Sequence, residues 1–210
     1  MPDPATLVTF SLTVLAIVMA PGPDTMLILR YGLTSGHRAA LAAVAGVQIG
    51  LILHTLLAVA GISAVIAASP ALFRTLALVG AAYLAWLGIE GLRARATFTV
   101  EVDPSGPPMP AWKACRDAVL TNVLNPKVIL LFVALYPNFI VVGRGDVSVQ
   151  LLVLSTVLII INVLWQAPLA WVTHALRGWL TRPRLQRLVA RLTGAILLLF
   201  AVGMLYQHVR

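Results

Sequence analysis

Residues 4–29 read PATLVTFSLTVLAIVMAPGPDTMLIL, and Asp24 is the only charged residue among them. A helix needs about 20 apolar residues to cross a hydrocarbon core, and this segment is long enough. It is interrupted by Pro21-Gly22-Pro23-Asp24. Two prolines remove two backbone donors and the glycine loosens the turn, so the helix is expected to break within the membrane. Carbonyls near Ile17 to Ala20 then lose their helical partners, while a half-helix beginning at Asp24 offers free N–H groups and a positive dipole end. In lipid those groups must be met by protein, water or ligand. Freed carbonyls suit an ammonium group and a helix N-terminus suits a carboxylate, which is the physics of a site for a small zwitterion. Asp24 is equally a favoured N-cap, so a purely structural kink reads from the same residues.

The rest of the chain agrees with a membrane solvent. Of 210 residues 60% are apolar and 10% charged, and mean hydropathy is +0.95. Soluble domains carry about 25% charged residues. Further apolar segments lie at about 39–62, 73–92, 118–142, 149–172 and 188–206, all too long to be strands. The fold class is therefore all-α integral membrane, with six transmembrane helices. A soluble enzyme, a secreted disulfide scaffold and a nucleic-acid binder are excluded. The first segment reads as a retained span, because Met1-Pro2-Asp3-Pro4 lacks the basic start of a secretory signal. Cys115 is the single cysteine and has no partner for a disulfide.

The net charge of +8 is a topology signal, since the positive residues lie in alternate gaps. Arg30 and Arg38 follow the first segment; Arg93, Arg95, Lys113 and Arg116 flank the third gap; Arg177, Arg182, Arg184, Arg187 and Arg191 fill the fifth. The opposite side holds Arg74, Arg144 and Arg210. Cytoplasmic loops retain Lys and Arg, so both termini are expected on the outer side of a bacterial inner membrane.

Residues 96–111, with Pro104, Gly106, Pro107, Pro108 and Pro110, form a solvated cytoplasmic linker between two three-helix halves, 1–95 and 112–210. Three spans is an odd number, so a second half that repeats the first enters from the other face, as in inverted-repeat transporters. Each half then carries a proline-broken first helix. The second break is Asn122-Val-Leu-Asn125-Pro126-Lys127. A lysine inside a span costs at least about 2.5 kcal/mol at the centre, so Lys127 faces a partner or a wet cavity, or snorkels to the interface. Asp24 and Lys127 fall at similar depth, which makes a shared cavity possible. The expected substrate-binding set is Pro21, Gly22, Pro23, Asp24, Asn122, Asn125, Pro126 and Lys127, with Asp24 also coupling protons.

These motifs together resemble the LysE/RhtB family of amino-acid exporters. The similarity is carried by Pro21-Gly22-Pro23-Asp24, by Gly36, Gly46 and Gly50, and by Gly80-Ala-Ala-Tyr83-Leu-Ala-Trp86-Leu-Gly88. Asn122 to Lys127, Leu131 to Phe139 and Trp179-Leu-Thr-Arg182-Pro183-Arg184 continue it. The chain departs from the family pattern at Tyr136 and Asn138. The resemblance implies efflux of amino acids or close derivatives across the inner membrane, driven by the proton gradient. The implied partners are the substrate, protons and the bilayer, with no cofactor and no nucleic acid.

Other intramembrane polar residues carry two readings each. His54 is either a packed, hydrogen-bonded histidine or a proton relay. Gln48 and the Asn162/Gln166 pair either line a pathway or join helices. Gly46-x-x-x-Gly50 reads as close helix packing, with a homodimer face as the weaker alternative. Trp112, Tyr136, Trp171 and Trp179 are expected as interfacial anchors. The rivals are a cation exporter of a related superfamily, which wants more intramembrane carboxylates or histidines, and a rhomboid-like intramembrane protease suggested by Gly61-Ile62-Ser63. In the protease pattern glycine follows the serine, whereas here Ala64 does. The four histidines and one cysteine are scattered, so no metal site is expected.

Overall fold

The structure, a computed structural model, describes residues 2–20, 22–93, 108–180 and 183–209. Among them every regular element is helical. Helix α1 (Pro4–Met19) opens on Asp3, whose Oδ1 accepts the Thr6 N–H at 2.8 Å. That bond is the chief reason the Asp3 carboxyl lies below its ordinary pKa. After the first break α2 (Pro23–Ser35) runs at 52° to α1 and stops at Gly36, whose φ of 84° suits only glycine comfortably. Helices α3 (His37–Ala68) and α4 (Pro70–Arg93) follow, then α5 (Ala111–Val123) and α6 (Pro126–Leu130). A π-helical turn (Leu131–Leu135) and a 3-10 turn (Tyr136–Phe139) extend α6, and this second pair is bent by 50°. The chain ends in α7 (Val147–Leu180) and α8 (Pro183–Val209).

Among the described residues, four helices are long and apolar enough to cross a membrane by themselves, and there are up to six spans when each bent pair counts as one. A bend near 50° leaves the second half-helix travelling forward, which suits one broken span in each pair. Two sets of ties agree with this path. Arg144 pairs with Asp3 at 2.6 Å, joining residues four spans apart. The Tyr31 hydroxyl donates to Asp117 Oδ2 at 2.6 Å and the Met109 N–H to Ser35 Oγ at 2.9 Å, joining residues two spans apart. The bundle therefore has an Asp3/Arg144 end and a Tyr31/Asp117 end.

Several helices outrun their apolar segments. Helix α2 continues to Ser35, α5 begins at Ala111, and α7 reaches Leu180. Hydropathy sees only the stretch solvated by hydrocarbon, while the backbone keeps its hydrogen bonds into the polar zone. Of the expected linker, residues 96–107 lie outside the described residues, as do Arg95, Arg182 and Arg210; the side chains of Arg177 and Trp179 do also.

Glycines set how closely the helices approach. Helix α3 lies on α5 where Gly46 faces the Cys115 carbonyl and Gly50 faces the Asn122 side chain. The Gly46-x-x-x-Gly50 face is thus covered by α5 of the same chain. Helix α4 lies on α8 through Gly88, Gly91 and Gly194, with a Cβ on Gly194 falling 2.6 Å from the Gly88 carbonyl. One expected interfacial anchor is corrected. Tyr136 is fully buried, set edge-on against Phe10 and stacked on Phe132, with its hydroxyl 3.2 Å from Ser155 Oγ. Pro137 cannot donate a backbone N–H, and the π-helical and 3-10 turns beside it swing Tyr136 inward. Trp112 and Trp171 are exposed as expected.

Candidate functional site

The two breaks meet in the middle of the bundle. At the first, Gly22 is the N-cap of α2 and Pro23 its first residue, while Asp24 sits in the first turn. Asp24 does not cap its own helix. Its Oδ2 accepts the Asn122 amide N–H at 2.8 Å from across the bundle. Its Oδ1 is buried without a hydrogen bond, with the Asn125 amide nearby. Pro21 lies outside the described residues.

At the second break Asn125 caps α6, its Oδ1 accepting the Lys127 N–H at 3.0 Å, and Pro126 fills the position where a missing donor costs nothing. The Lys127 side chain runs along Gly22 and donates from Nζ to the Ala20 carbonyl at 2.7 Å. It therefore meets a carbonyl that the proline break released, and it does not snorkel. Asp24 and Lys127 do not form an ion pair. The Asn122 carbonyl lies 3.3 Å from His54 Nε2, and the His54 ring stacks on Phe132. His54 is thus packed and within hydrogen-bonding distance of the same residue that bonds Asp24.

Gly22, Asp24, Asn122, Asn125 and Lys127 line one pocket of about 430 Å³ of empty space, counting its open mouth. Pro23 and Pro126 are exposed and shape the breaks without lining the pocket. Asn162 and Gln166 do line it, and Asn162 also accepts the Gln48 amide at 2.9 Å, so α3 and α7 are joined there. Gln166 is 2% exposed and its Oε1 has no donor. A carboxylate oxygen and an amide oxygen, both buried and unsatisfied, leave the pocket short of donors.

Composition did not single out the apolar lining, which includes Ile17, Val18, Leu51, Leu131 and Leu158. One signal was available: Leu158, Asn162 and Gln166 are spaced by four and so share a face of α7. Among the described residues no group of three His, Cys, Asp or Glu is placed to hold a metal.

Membrane-length helices broken around a pocket that holds buried charged and amide groups define an integral membrane protein. The LysE type translocator family matches residues 15–208, and the chain belongs to that family of membrane transporters. Among its relatives, the uncharacterized membrane protein YrhP of Bacillus subtilis is 32% identical over 89% of this chain and 91% of its own. A leucine efflux protein of Enterobacter sp. is 31% identical over 91% of each chain. A homoserine/homoserine lactone efflux protein of Salmonella typhimurium is 27% identical over 96% of this chain and 95% of its own. No solved structure matches the chain.

Proposed function

We propose that the protein is a secondary transporter that exports amino acids or close derivatives across the bacterial inner membrane by alternating access, in antiport with protons. The observation that carries this is the geometry of two opposite charges. Asp24 Oδ1 lacks a donor, Lys127 has N–H groups beyond the one given to Ala20, and both line one pocket without pairing. A zwitterion answers both, with its ammonium group on Asp24 and its carboxylate on Lys127 or on the free N–H groups of the first turn of α2. Asp24 would hold the substrate ammonium in one phase and a proton in the other. The efflux activities named for the Enterobacter and Salmonella relatives support a substrate of this class.

The two breaks stand in the first span of each half, which suits two inverted three-helix repeats rocking about the site. The basic gaps put the Tyr31/Asp117 end in the cytoplasm and both termini outside. The energetics are adequate: a tenfold uphill gradient costs about 1.4 kcal/mol, while one charge moving through 100 mV supplies about 2.3 kcal/mol.

The test loads proteoliposomes with labelled amino acids and imposes an inward proton gradient. Export above that of protein-free vesicles, with coupling lost in Asp24→Asn, is expected. No export, or a fully coupled Asp24→Asn, overturns the proposal. Export of inorganic cations in place of amino acids supports the cation-exporter reading. A reporter fused to the C-terminus and found in the cytoplasm refutes the orientation.

A further inference from the structure

We infer that the pocket selects amino acids with an uncharged, aliphatic side chain. This rests on the export proposal for the placement of the ammonium and carboxylate groups, and adds the class of side chain.

Helix α3 lies along α5 in register, Gly46 meeting Cys115 and Ala118, and Gly50 meeting Asn122. Gln48 bonds Asn162, which fixes the level of α7 against α3. Leu158 lies one turn, about 6 Å, from Asn162 toward the Asp3/Arg144 end. Leu131 lies one turn from Lys127 in the same direction, and Ile17 and Val18 occupy the last turn of α1 on that side of the break. Leu51 and Val128 complete a wall with no hydrogen-bonding side chain. Gln166 and Thr25 lie toward the opposite end, beyond Asn162 and the break. The pocket is thus divided: charges and amides at one level and toward the Tyr31/Asp117 end, aliphatic carbon toward the other.

Beyond the lining residues, toward the same end, lies a closed aromatic cluster. Phe10, Phe132, Tyr136 and Phe139 are each at most 4% exposed and pack ring against ring between α1 and the turns after α6. The Tyr136 hydroxyl lies within hydrogen-bonding distance of Ser155. A zwitterion whose two charged groups are held by Asp24 and Lys127 therefore points its side chain into carbon. A second charge there finds no partner, and a side-chain hydroxyl gains none.

The test is binding to purified protein in detergent, which reads selectivity whether or not flux is seen. Labelled leucine is displaced by unlabelled isoleucine, valine, threonine, lysine and glutamate. Isoleucine and valine are expected to compete, with lysine and glutamate weaker by 10-fold or more. Valine should beat its near-isostere threonine by roughly 10-fold or more. Leu131→Phe and Leu158→Phe each shorten the apolar wall and should move the preference from leucine toward valine and alanine. Lysine or glutamate competing as well as isoleucine, threonine matching valine, or no leucine binding at all overturns the inference. Leucine binding with this selectivity but no export from proteoliposomes would leave the side-chain assignment standing and defeat the export proposal instead.

Discussion

Gly50 touches no substrate, yet its replacement by alanine should disable the site. A Cβ built there falls 2.8 Å from Asn122 Cβ and 2.9 Å from Asn122 Cγ, with Oδ1 closer still. Rotation of the Asn122 side chain relieves the Cγ and Oδ1 contacts but not the Cβ contact, so α3 and α5 must also part, and both movements carry the Asn122 amide away from Asp24. Asn122 then loses the 2.8 Å bond from its amide to Asp24 Oδ2, and a buried carboxylate already lacking a donor on Oδ1 is left without either. A hydrogen bond to a charged group is worth about 1.5–3 kcal/mol, which corresponds to roughly 10- to 150-fold. Efflux in proteoliposomes, as initial rate over substrate concentration, should fall by that factor in Gly50→Ala. A double-mutant cycle with Asn122→Gly, which also removes the Cβ at 2.8 Å, isolates the cause. Once Asn122 is truncated the added methyl has far less to strike, so Gly50→Ala should then cost less than threefold. An equal loss in both backgrounds would show that Gly50 acts through helix packing alone and would refute the link from Gly50 through Asn122 to Asp24.

Other expectations are as direct. Lys127→Met should weaken leucine binding while leaving binding of isoamylamine, which has no carboxylate, within threefold of wild type; a parallel loss of both would remove Lys127 as the carboxylate partner. Gly194→Ala forces α4 and α8 apart against a backbone carbonyl, and overpacking of this kind costs about 1–3 kcal/mol, seen as a lower unfolding temperature in detergent. In a Cys115→Ser background, Asp3→Cys with Arg144→Cys should cross-link through a short bifunctional reagent, and failure to do so would break the six-span path.

The bundle was legible because its solvent writes itself into composition. Six apolar stretches separated by arginines need no tertiary information, and prolines beside polar residues mark breaks wherever they occur. Both breaks appear at the expected residues for that reason. Which polar groups meet across the bundle was not legible, because it depends on helix rotation. Asp24 read either as a substrate-binding group or as a cap of its own helix, and it caps nothing there but bonds Asn122, 98 residues away. Lys127 had two equal readings, and what decided between them was the Ala20 carbonyl lying within reach of its stem. Tyr136 read as an anchor because it stands near a span end; a π-helical turn, which hydropathy cannot register, carried it into the core. Gly46 and Gly50 announced a close contact without saying with which helix, and α5 proved to be in the same chain.

The bond from Lys127 Nζ to the Ala20 carbonyl has a mechanical meaning as well as a chemical one. An interrupted helix is a swivel, and two separate swivels would let the two halves of the protein wander independently. Here a side chain rooted in one swivel grips the loose end of the other, so a turn of either is passed on to both. In the export cycle proposed above, a cargo whose carboxylate drew the ammonium away from Ala20 would release that grip, and loading would then be the event that frees the halves to move.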